Sequence, residues 1–139
     1  MSYEYFDHTA DVGFIVRAES LERLFEESAE ALMGIMLPLE TIECKIHDSF
    51  SVTGDSLEDL LYDFLSEFLY LLDAENMIFK KFEVEIDEGN PFKLFAKICG
   101  EKVDPKRHIF ESYVKAITYH GLEVKKRDDV WSAKVIVDI

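Results

Sequence analysis

"FIVRAESLERLF" (Phe14–Phe25) and "FSVTGDSLEDLL" (Phe50–Leu61) align without a gap, thirty-six residues apart. Phe, Val, Ser, Leu, Glu and Leu coincide, and Glu19 matches Asp55 in charge. Each stretch reads as a short strand, a polar break and a serine placed to cap a helix. Two units with one phrasing suggest a duplication; cap-plus-leucine patterns are common, so coincidence competes with that reading.

The helices follow from these anchors. After Ser20, Leu21, Leu24, Phe25, Ser28, Leu32, Ile35 and Met36 form one stripe at helical spacing, Glu22 lies in the first turn, and the other glutamates fall mostly off the stripe. Pro38 stops this helix by Met36. After Ser56, Leu57, Leu60, Leu61, Phe64, Leu65, Phe68 and Leu72 make the second stripe, so the helices are placed at Ser20–Met36 and Ser56–Leu72.

Between and beyond them the period is that of strands. Ile42, Cys44 and Ile46 alternate with polar residues, and the alternation shifts before Phe50, which predicts a bulge near His47–Asp48. "IFKKFEVEID" and "FKLFAKICG" flank the turn signal "EGNP", and "LEVKKRDDVWSAKVIVDI" repeats that hairpin logic around Asp128–Asp129. On the last strand Trp131, Ala133, Val135 and Val137 make the more apolar face. Residues 108–119 fit helix and strand equally. The expected fold is α+β: nested, duplicated strand-helix-strand-strand units forming a mixed or antiparallel sheet, with both helices on one face. An inner unit of about 41–103 is inserted into an outer unit of 1–40 plus 104–139, all one domain.

The chain has 139 residues, 48% of them apolar, enough for a core that offsets the entropy of ordering. Fifteen Lys and Arg against twenty-nine Asp and Glu give a net charge of −14. Such a surface repels phosphate backbones, so direct, high-affinity nucleic-acid binding is not expected; a basic protein partner or a cation is. The N-terminal residues lack the basic and apolar regions of a signal peptide, and the greasiest stretch, Asp59–Leu72, carries Asp59, Asp63 and Glu67, so no membrane segment is expected. Cys44 and Cys99, without a CxxC pair, read as two buried reduced thiols suited to the cytoplasm.

The chemistry-bearing residues sit near the two ends. Asp11 stands just before the first strand, Asp138 is penultimate, and Ile139 brings an α-carboxylate. If the first and last strands are neighbours, these acids converge. Two such charges about 4 Å apart repel by about 4 kcal/mol at an effective dielectric near 20, which calls for a proton, a base or a cation. Oxygen-only ligands favour calcium, magnesium or manganese over zinc. The plainer alternative has Asp11 capping a turn and the terminus frayed. His8, His47, His108 and His120 form no HExxH or Cys/His pattern, which argues against zinc. Lys115 either snorkels out of the sheet or points at a ligand. No GxSxG, P-loop or GxGxxG occurs, and no general base stands beside the acids.

"DHTADVGF" (Asp7–Phe14), "VKAITYHGLEV" (Val114–Val124) and the closing "VIVDI" together resemble the archease family, over essentially the whole span from His8 to Ile139. The resemblance implies a divalent cation, calcium first with magnesium and manganese as alternatives, held by Asp11, Asp138 and Ile139. It implies that Lys115, and with it His8, serves ligase activation. It implies a cytoplasmic, non-catalytic partner of RtcB-type RNA ligases, which act in tRNA splicing, promoting their guanylylation and multiple turnover. The competing classes are a stand-alone divalent-metal-dependent hydrolase and a general protein chaperone.

Overall fold

The computed structural model describes residues 2–8 and 11–139, with the side chain of His8 outside the described set. The strands are β1 (Ser2–His8), β2 (Asp11–Ala18), β3 (Ile46–Gly54), β4 (Met77–Asp87), β5 (Phe92–Lys102), β6 (Ala116–Ile117), β7 (Glu123–Arg127) and β8 (Val130–Asp138). The helices are α1 (Leu21–Met36) and α2 (Leu57–Glu75), with a 3₁₀ turn at Leu39–Thr41. The fold is α+β, and every strand pair among the described residues is antiparallel.

Both helix starts obey the serine signals. Ser20 Oγ accepts from the Arg23 amide and Ser56 Oγ from the Asp59 amide, each at 3.1 Å, so each cap satisfies one of the free N–H groups of a first turn. The tight turn at Asp128–Asp129 has both residues at positive φ, 52° and 63°, which matches the right-handed twist of the flanking strands β7 and β8.

The strands divide into two sheets rather than one. The first has the order β1-β2-β8, with β6 and β7 both paired to the far side of β8; the second has the order β3-β5-β4. In each, a strand leading into a helix lies beside the second strand of a hairpin. The helices touch both sheets: α1 packs on β2, β8 and β4, and α2 on β3, β4, β5, β6 and β7. This explains why Glu27 and Ser28 of α1 are buried along with its apolar stripe. The core of the second sheet is aromatic, with Phe64 near Phe25, Phe50 and Phe68, and Phe68 in turn edge-on to Phe79 and Phe82, at centroid distances of 5.1 to 5.9 Å. Ala133, Val135 and Val137 of β8 are buried as their alternation requires.

The helices also cover sheet edges. Glu26 of α1 accepts from the Val84 amide of β4 at 2.9 Å, and Glu58 of α2 accepts from the Val124 amide of β7 at 3.0 Å. Each carboxylate thus occupies a donor on an outer strand that would otherwise face solvent or another chain.

Beyond the division into two sheets, two expectations change and two stretches left open take form. Ser2–His8, unassigned in sequence terms, is β1. Residues 42–45 are not strand, and β3 begins at Ile46. The bulge is absent from His47–Asp48, where β3 and β5 stay in register, and lies in β4 between Phe79 and Lys81, opposite Gly100 and Cys99. The backbone passes so close there that a Cβ on Gly100 would overlap Ile78 O and the Phe79 Cα, which is why the position is glycine. Residues 108–119 are largely irregular, with only Ala116–Ile117 in a strand.

Gly100→Ala is therefore expected to destabilise by about 1–3 kcal/mol through forced backbone displacement. Ser56→Ala loses one cap bond and should cost about 1 kcal/mol. Urea denaturation of the two variants checks the order.

Candidate metal centre at the end of β8

The site begins with register. β2 and β8 run antiparallel with Asp11 opposite Asp138 and Val12 opposite Val137. On the other side of β8, Ala116 of β6 stands opposite Asp138, and the Lys115 amide donates to Asp138 O at 2.7 Å. Directly opposed residues on neighbouring strands share a face and lie about 4.5–5.5 Å apart at Cα. Asp11, Asp138 and Ala116 thus form the row across three strands, Lys115 precedes β6 and is tied to Asp138 by its amide, and Ile139 is next along the chain. Asp138, Ile139 and Lys115 are exposed, and Asp11 is half-buried.

Several contacts hold this end of the sheet. Thr118 donates twice to Ile136 O, through its amide at 3.1 Å and its hydroxyl at 2.8 Å. On the β1 side, Phe6 pairs with Gly13, and its ring covers the place a side chain at Gly13 would fill. His8 pairs through its backbone with Asp11; its expected part in activation concerns a side chain outside the described residues. His120 is exposed beyond β6 and takes no part in this constellation.

The segment carrying Lys115 is anchored at its start by a cluster the sequence did not reveal. Glu101 and His108 are buried. Both guanidinium ends of Arg107 donate to the Glu101 carboxylate, one to Oε2 at 3.0 Å and the other to Oε1. The Asp104 amide donates to His108 Nδ1 at 2.8 Å, which leaves the ring proton on Nε2, facing Glu101 Oε2 at 3.1 Å. The Glu43 amide donates to the same oxygen at 2.6 Å. Farther on, the Glu111 amide donates to Met36 O at 2.7 Å and Ser112 Oγ to Ile35 O at 2.9 Å, satisfying carbonyls at the end of α1. The chain is therefore guided from β5, over the end of α1, to Lys115.

A further correction concerns the cysteines. Cys44 and Cys99 form a disulfide with Cα atoms 5.1 Å apart, not two separate thiols. Pairing across 55 residues depends on the register of β5, which no local spacing encodes.

Residues 3–139 match the Archease protein family (MTH1598/TM1083). The chain belongs to the archease family. It is 39% identical to the protein archease of Methanosarcina mazei, over 99% of this chain and 95% of that one, and 41% identical to that of Pyrococcus abyssi, over 99% and 98%. Among solved structures it resembles the solution structure of Methanobacterium thermoautotrophicum protein 1598, with a TM-score of 0.88 and 35% identity over 99% of this chain and 98% of that one. It shares its fold with a Thermotoga maritima archease described as a possible chaperone, with a TM-score of 0.60 and 22% identity over 96% and 94% of the two chains. No helix among the described residues is long and apolar enough to cross a membrane.

The anchoring cluster makes a pH prediction for this archease. Hydrogen bonds from Arg107 hold the Glu101 carboxyl down at about 2, from an ordinary 4.5, outweighing the opposing effect of burial. A lowered folded value stabilises the protein fully above 4.5, and that contribution is lost as pH falls from 4.5 through about 2. Acid denaturation followed by circular dichroism should show a shallower loss of stability over this window in Glu101→Gln than in the wild type.

Proposed function

We propose that this archease is a metal-binding, non-catalytic activator of an RtcB-type RNA ligase. The observation that carries the proposal is the β2–β8 register, with Asp11 opposite Asp138 and the Lys115 amide bonded to Asp138 O. Two acids in opposed positions repel, and their donor set is oxygen only, which suits a hard cation such as calcium, magnesium or manganese better than zinc. Asp11, Asp138 and the α-carboxylate of Ile139 are the residues that would hold it. When bound, such a cation supplies electrostatic stabilisation of negative charge on a phosphate.

The chain's own residues contribute in three ways. Asp11 and Asp138 fix where a cation is presented, at the exposed rim of a rigid sheet. Lys115, exposed and tied to Asp138 O through its amide, offers an ammonium group to a phosphate oxygen. The net charge of −14 steers the molecule toward the basic surface an RNA-handling enzyme presents, while discouraging the RNA itself. Guanylylation of the ligase joins a histidine nitrogen to the α-phosphorus of GTP and releases pyrophosphate. Positive charge placed where phosphate charge develops accelerates that step without any nucleophile from the archease. A general chaperone role, the one named for the Thermotoga relative, would instead act on many client proteins and would not need these residues.

Transfer of label from α-labelled GTP to purified ligase tests the proposal. Wild-type archease should stimulate transfer, and Lys115→Ala should lose about 10²- to 10³-fold in the stimulated rate while keeping its fold. Equal stimulation by both would remove Lys115 from the mechanism. In calcium calorimetry, Asp11→Ala should give little heat beside the wild type; matching heats would remove the carboxylates as the cation's ligands.

A further inference from the structure

On the opposite sheet, the fold assembles a group that the sequence pattern had argued against. His47 of β3 stands directly opposite Cys99 of β5, so both side chains lie on the same face. That face is the outer one, because Leu94, Ala96 and Ile98 of β5 are the residues buried in the core. Cys44 precedes His47 by three residues, and the Lys45 amide donates to Gly100 O at 2.9 Å, which holds Cys44 against the same strand. The two sulfurs and a ring nitrogen of His47 all lie within 4.8 Å of one another. A cleft of about 820 Å³ opens over them, lined also by Asp48, Lys81 and Lys97. Cys99 is buried and His47 exposed, so the group has a fixed inner member and an accessible outer one.

We propose that Cys44, His47 and Cys99 form a redox-gated site for a thiophilic divalent cation, with zinc the best match. Two thiolates and an imidazole are the ligands zinc prefers, and their softness separates this site from the oxygen-only end of β8. The disulfide is the closed state. A dithiol opens it by exchange, passing two electrons and two protons to the cysteines and leaving as its own disulfide; the metal then displaces both thiol protons. With Zn–S bonds of about 2.3 Å, tetrahedral thiolates sit roughly 3.8 Å apart, a separation the sulfurs reach by side-chain rotation while the strands stay paired. Three protein ligands leave a fourth position, open to the cleft, for water. Hydrogen peroxide reverses the process: it takes two electrons from the thiolates and two protons from solvent, leaves as two waters, restores the disulfide and releases the cation.

The probe is the metal alone. Protein is reduced with a phosphine, which leaves as the phosphine oxide carrying a water oxygen, desalted without air, and titrated with Zn²⁺ against a chromophoric chelator. Co²⁺ is added in parallel to read thiolate-to-metal charge transfer. Reduced wild type should take up a single tight zinc and show the cobalt charge-transfer band, and the oxidised protein should do neither. Cys44→Ser should lose the band. His47→Ala, at an exposed position, should weaken zinc by at least the roughly 10- to 100-fold that outer partners of metal sites contribute. Asp11→Ala should bind zinc as the wild type does. Absence of the band in reduced wild type, zinc uptake unchanged in Cys44→Ser, or zinc affinity unchanged in His47→Ala would each overturn the proposal. Circular dichroism of the variants confirms that any loss is not a loss of fold.

Discussion

Everything at the candidate metal centre depends on the pairing of β2 with β8. These strands come from opposite ends of the described chain, yet they form the middle of the first sheet, with β1 on one side and β6 and β7 on the other. Their antiparallel register sets Asp11 against Asp138, and a slip of one residue would turn one of the two acids to the other face. The buried residues of β8 forbid that slip, because it would turn Ala133, Val135 and Val137 to solvent. The apolar alternation of a core strand therefore fixes the position of two charged groups at its end.

The sequence made the local features legible and left the non-local ones hidden. Ser20 and Ser56 signal helix starts because a cap is a matter of three or four residues. The hairpins at 88–91 and Asp128–Asp129 are likewise read from their turns. The division into two sheets escaped, since it depends on which strand meets which. So did β1, whose exposed edge position demands little apolar alternation, and the irregular stretch from 108 to 115, which is shaped by Glu101 and by the end of α1 rather than by its own period. The repeat of strand and cap is visible in both stretches, and both sheets share the placement of the helix-leading strand beside the later hairpin strand.

The site residues divide in the same manner. Asp11, Asp138 and Ile139 stood out by their charges near the two ends and, with Lys115, through the resemblance to archease motifs; the register sets Asp11 against Asp138, and the Lys115 amide bonds to Asp138 O. Neither Glu101–Arg107–His108 nor Cys44–His47–Cys99 carried a recognisable spacing. In both, the members come from separate elements: the first group joins β5 to the segment after it, and the second joins β5 to β3 and the residues just before it. The only hint in the sequence was compositional, a buried-looking strand that carries Cys99, Gly100 and Glu101 in succession.

The reciprocal contacts of Glu26 with β4 and Glu58 with β7 bear on how the molecule comes apart. Each helix lends a carboxylate to an outer strand while also packing in the core between the sheets. Releasing either sheet would part a backbone donor from its side-chain acceptor and uncover helix surface at the same moment, so partial opening gains little entropy for what it exposes. The molecule should open as one cooperative unit, with the Val84 and Val124 amides exchanging their hydrogens only when the whole fold opens. A platform that does not breathe in parts keeps its rim residues at fixed separation, which is what a small protein needs if it acts by holding charges still against a larger one.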